Sequence, residues 1–153
     1  MLRILIAAAL LCATSAAAET TAMLEVLRKT EVTQEDGTKN IRYAPVSAAV
    51  PGETLTYRIT LENSDTQPAT DVGMNLPVNA NLTIDPFSIS GPEGLEARFS
   101  VDGEAFLRFS ELEVEEDGEA RPAEARDITH MKIGLSEIPA ETSVSVEYDA
   151  TLE

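Results

Sequence analysis

The chain has 153 residues, with 27 acidic side chains against 11 basic ones, one Cys and no Trp. A net charge of −16 repels nucleic acid and anionic lipid, which excludes both as partners and favours cations or basic surfaces. A single thiol excludes a disulfide-stapled scaffold, so stability must come from a packed core, and the chain is long enough to build one.

The opening stretch, MLRILIAAALLCATSAAAET, reads as a secretory signal. Arg3 supplies the positive start. Ile4 to Ala13 is an apolar run too short to cross a hydrocarbon layer of roughly 30 Å as a helix. Ala16-Ala17-Ala18 then forms a small-x-small site, so cleavage is expected between Ala18 and Glu19, leaving residues 19–153 as one domain. Cys12 follows Leu11 rather than a small residue, which disfavours a lipid anchor there. No later stretch is apolar for long enough to span a membrane as a helix, so the mature chain is expected to be periplasmic or secreted without a span.

Period-two alternation dominates the mature chain, the pattern of strands buried on one face. Leu24 and Val26 begin a first strand whose pattern blurs near Leu27, suggesting a bulge. Leu55, Tyr57, Ile59 and Leu61 share one face of the next clear strand, opposite Thr54, Thr56, Arg58 and Thr60. Val72, Met74 and Leu76 come next; then Leu95, Ala97, Phe99 and Val101; then Met131, Ile133 and Leu135. The last strand turns Val144, Val146, Tyr148, Ala150 and Leu152 inward. Asp36-Gly37, Asp102-Gly103 and Asp117-Gly118 punctuate these runs as hairpin turns, and prolines at 77, 86, 92 and 139 end strands. Residues 79–125 are the least patterned part and have room for an extra hairpin, with one helical turn at Ala120 to Arg126. The sum is an all-β chain, an antiparallel immunoglobulin-like β-sandwich of about seven to nine strands. Tyr57, Phe99, Phe109 and Tyr148 are the expected centre of its core.

Pro51-Gly52-Glu53, Leu55-Thr56-Tyr57-Arg58-Ile59-Thr60, Asn63, Pro68-Ala69-Thr70-Asp71-Val72 and Leu76-Pro77 together resemble a conserved repeat domain of unknown function found in bacterial and archaeal cell-surface proteins. The likeness covers mainly residues 46–82. It implies an immunoglobulin-like domain in the cell envelope and brings no catalytic residue with it. The family commonly has Gly soon after the Asn, where Asn63-Ser64-Asp65 stands here; Asp tolerates left-handed backbone, so the turn survives. Members usually occur as tandem repeats, whereas this chain reads as a single exported copy.

Chemistry is sparse in the pattern. His130 beside Met131 has the ligand types of a soft-metal site, but neighbours on a strand point to opposite faces. Glu111, Glu113 and Glu115 share a face if the strand is continuous, which makes them weak candidates for a hard cation. They lack the spacing of a calcium loop, and the leading reading of that acidic run is a solvated face. No Gly-x-Ser-x-Gly elbow occurs, Ser88-Ile89-Ser90-Gly91 does not fit one, and the mature chain has no thiol. No catalytic residue, cofactor site or metal site is therefore expected. The expected role is an exported cell-envelope structural and protein-interaction module, its partner another envelope or surface protein. The alternative is a small acidic periplasmic binding protein for a divalent cation or a basic ligand.

Overall fold

The structure is a computed structural model that describes residues 20–153. The signal segment, Ala18 and Glu19 lie outside the described residues.

Among the described residues ten strands run in chain order: β1 (Thr20–Thr33), β2 (Lys39–Pro45), β3 (Thr54–Asn63), β4 (Ala69–Pro77), β5 (Leu82–Ile84), β6 (Leu95–Ser100), β7 (Glu113–Glu116), β8 (Glu119–Pro122), β9 (His130–Ile138) and β10 (Thr142–Leu152). All pairings are antiparallel. One sheet has the order β2-β1-β3-β10-β5, a second has β4-β9-β6, and β7-β8 is a separate hairpin. The strand count exceeds the expected seven to nine, and the loosely patterned middle accounts for it. That region holds the hairpin β7-β8 and the three-residue β5, both too short to show a clear period. The hairpin turns through Asp117 and Gly118, at φ 55° and 83°, the two positive angles that an Asp-Gly type I′ turn requires.

Alternating residues of the two larger sheets meet in one core. Ile59 and Leu61 of β3, Val146 and Ala150 of β10 and Ile84 of β5 bury their side chains with Met131, Ile133 and Leu135 of β9 and Phe99 of β6. The arrangement is sandwich-like. Tyr57 and Tyr148 face each other in register and their rings stack at 5.2 Å. Of the four aromatics expected at the centre, Phe99 and Tyr148 are buried while Tyr57 and Phe109 are half-buried.

β1 departs from the sequence reading. Its pairing with β3 is continuous from Thr20 to Leu27, and from Leu27 onward it pairs with β2 instead, so it carries no bulge. The pattern blurs at Leu27 because the strand changes partner there. Leu27 is buried on the face it shares with Thr56, whereas Leu24, on the opposite face and paired with buried Ile59, is 57% exposed. Beyond Leu27 every residue of β1 is exposed, as is every residue of β2. Residues 28–44 therefore form an arm that leaves the core behind.

Two crossings between the sheets, β3 to β4 and β9 to β10, are joined by one side chain. The amide nitrogen of Asn63, completely buried, donates to the carbonyls of Gln67 (2.9 Å), Ile138 (3.2 Å) and Pro139 (3.2 Å). Its oxygen accepts from the amide of Asp65 at 3.1 Å. Replacing Asn63 by Ala removes the donor to the buried Ile138 carbonyl and to the part-buried carbonyls of Gln67 and Pro139, and a loss of about 2–3 kcal/mol in chemical denaturation is expected.

Burial raises the Tyr148 hydroxyl to about 12, helped by the neighbouring Tyr57, itself raised by burial. The unfolded chain ionises near 10.0 and the folded one later, so this contribution to stability is complete below 10.0 and lost as pH rises towards about 12. Tyrosinate absorbance should show Tyr148 ionising only in that window, together with the fall in stability.

Candidate functional site

The sequence-derived metal candidates are not brought together. Glu111 ends a 3-10 turn (Phe109–Glu111), where its carboxylate lies 3.4 Å from the amide of Arg108. Of the three, Glu113 and Glu115 lie on β7, exposed on one face, while Val114 between them packs on the core. The expectation that all three share a strand face fails because the chain coils before β7 begins. Among the described residues no three of His, Cys, Asp and Glu are grouped to hold a metal ion. His130 and Met131 separate as alternation demands: Met131 is fully buried, and the His130 ring lies over Gly103 with Nδ1 2.9 Å from the Thr129 hydroxyl.

A different feature stands out from the surface. Phe87 is 84% exposed, the largest value among the exposed large hydrophobic residues described. The backbone holds it there. In the turn after β5 the Phe87 amide donates to the Asp85 carboxylate at 2.9 Å, and the Ser88 amide to the Asp85 carbonyl at 3.2 Å. The Ser88 hydroxyl also donates to that carbonyl (2.7 Å) and accepts from the amide of Asp149 on β10 (2.8 Å). Backbone bonds from Asp85 to Asp149 and between Ser90 and Glu147 fix the segment to β10 on either side. A turn tied at so many points does not fold its apolar side chain back into the core.

The ring is also supported from below. Phe87 meets Phe109 edge to face at 5.6 Å, and Phe109 meets buried Phe99 at 6.1 Å, so three aromatic rings lead from core to surface. Beside them opens a concavity of about 490 Å³, walled by Ile84, Pro86, Phe87, Phe109, Ala123 and Ala125, with Asp85 and Glu124 among its polar members. Its far wall is a 3-10 turn (Ala125–Asp127) that Arg121 of β8 holds in place. That guanidinium bonds Glu116 and, at 2.7 Å, Asp127. The pairing raises the Arg121 pKa and lowers that of Asp127. An open apolar concavity beside an exposed aromatic ring, with carboxylates on its border, can seat an apolar side chain flanked by positive charge.

Sequence reasoning missed Phe87. The available signal was an aromatic residue directly after Asp85-Pro86, inside a turn, where no strand face exists to bury it.

No protein-family model matches this chain, and neither a curated protein nor a solved structure matches it.

If Phe87 serves contact rather than folding, its removal should leave stability nearly intact. Phe87→Ala is expected to cost less than about 1 kcal/mol in thermal or chemical unfolding, and Phe99→Ala about 3–5 kcal/mol.

Proposed function

We propose that this chain is an exported cell-envelope module that works by protein contact and catalyses no reaction. The observation that carries this reading is Phe87, held out into solvent by its turn and backed by Phe109 beside an apolar hollow. A large aromatic ring exposed to this degree has little to offer stability, whereas rigid aromatics beside a pocket are what interface centres are made of. The secretory pattern before Glu19 supports export, and the resemblance of residues 46–82 to a cell-surface repeat domain supports an envelope setting. The net charge of −16 makes a basic surface the favoured face of the partner.

The test compares capture from an envelope extract by the native protein and by the Phe87→Ala variant at physiological salt. A partner retained by the first and lost by the second is the expected outcome. Identical captured sets, or none with either, would count against the reading.

A further inference from the structure

Three Asp-Gly pairs occur in the chain, at Asp36-Gly37, Asp102-Gly103 and Asp117-Gly118. In such a pair the side-chain carboxyl lies close to the next amide, and a glycine has no β-carbon to shield its nitrogen from it. The fold treats the three pairs differently. We propose that Asp117-Gly118, at the tip of the β7-β8 hairpin, is a self-modification site at which Asp117 converts to isoaspartate, while the other two pairs are protected.

In the reaction the Gly118 nitrogen bonds to Cγ of Asp117, and the carboxyl hydroxyl leaves as water with the amide proton. Water then opens the resulting five-membered imide. Addition at the side-chain carbonyl restores aspartate. Addition at the main-chain carbonyl breaks the original peptide bond and leaves the chain running through Cγ. Water is the only co-reactant, one molecule lost and one regained, so the mass does not change.

Both reacting groups are engaged at the first two pairs. The Gly37 amide donates to the Gln34 carbonyl at 2.9 Å, and the Asp36 carboxylate accepts from the Thr38 amide at 2.9 Å. The Gly103 amide donates to the Ser100 hydroxyl at 2.8 Å. The Asp102 carboxylate accepts from the amides of Glu104 and Ala105 and from the Ser100 hydroxyl. These bonds, the Thr38 amide foremost at Asp36 and the Glu104 amide at Asp102, also hold both carboxyls below the usual range. Less of the neutral acid that the nitrogen attacks is then present. The His130 ring closes over Gly103 as well, 2.8 Å from where a β-carbon would stand.

At Asp117-Gly118 neither group is held. Both residues are exposed, and among the described residues no hydrogen bond or ion pair engages the Asp117 carboxylate or the Gly118 amide. The turn closes instead between Glu116 and Glu119, outside the pair. Nothing lies within 4 Å of where a Gly118 β-carbon would stand, so the tip rotates into the cyclising geometry without displacing a packed group.

The tip is linked to the wall of the Phe87 hollow, whatever that hollow binds. Isoaspartate lengthens the main chain of the turn by one carbon, and a two-residue type I′ turn fixes the register of its hairpin. Glu116 is then drawn out of its pairing with Glu119, and with it goes one of the two carboxylates that hold Arg121. The other is Asp127, in the 3-10 turn that forms the far wall.

The experiment incubates the purified protein at neutral pH for several weeks, in native buffer and in urea, and locates isoaspartate by enzymatic methylation and fragment-ion mass spectrometry. In native buffer residue 117 should convert roughly tenfold faster than 36 or 102, because each of those must first break hydrogen bonds. In urea the three rates should converge. Native conversion at 36 or 102 that matches 117, no conversion at 117, or a preference that persists in urea would overturn the proposal. Hydrogen exchange at the Asp127 and Ile128 amides should quicken in the converted protein. It should stay unchanged in Asp117→Gly incubated alongside, which suits the same turn and has no carboxyl to cyclise. Unchanged exchange in the converted protein would overturn the link to the hollow.

Discussion

The buried amide of Asn63 is the constraint on which the two-sheet arrangement depends. β3 leaves one sheet for β4 in the other, and β9 returns to β10, at the same end of the molecule. The crossings put the carbonyls of Gln67 and Pro139 outside the strand ladders, and a shielded carbonyl without a donor is costly. One carboxamide answers both, donating to Gln67 on one side and to Ile138 and Pro139 on the other. No aliphatic residue of similar size does this. It also explains why Asn63 completes the motif that begins at Pro51-Gly52: the Gly52 amide bonds the Leu152 carbonyl at 2.7 Å, tying the other end of β3 to β10.

With the ends fixed, the unequal size of the sheets shapes the surface. The sheets have five strands and three, and the outer strands of the larger one differ: β2 is exposed throughout, whereas Ile84 of β5 is buried in the core. At the β1-β2 edge the chain continues as a hairpin with Ile41 exposed, tied back to the body by Arg28 to Glu53 and by Arg58 over the Tyr43 ring. At the β5 edge the chain compensates with irregular segments, and these build the hollow around Phe87.

Much of the fold was legible because a strand half-buried in a sheet writes its environment into every second residue. Leu55 to Leu61 and Val144 to Leu152 turn inward where alternation placed them, buried or half-buried at every second position, and His130 and Met131 divide as expected. Legibility ended where a residue's surroundings come from distant chain. Leu24 has the same local pattern as Ile59, with which it pairs, yet only Ile59 is covered. Glu111 looks continuous with Glu113 and Glu115 until the 3-10 turn takes it off the strand.

The sequence by itself determined the all-β class, the hairpin turns at Asp36-Gly37 and Asp117-Gly118, the inward faces of the long strands and the acidic balance, since each of these depends on composition or on neighbours one or two residues away. Only the tertiary structure decided which apolar residues remain in solvent. Burial of Phe99 and exposure of Phe87 are not properties of phenylalanine or of its neighbours. They depend on where the folded chain places each ring: Phe99 on β6 inside the core, Phe87 in a turn that is hydrogen-bonded to β10 and presents it to solvent.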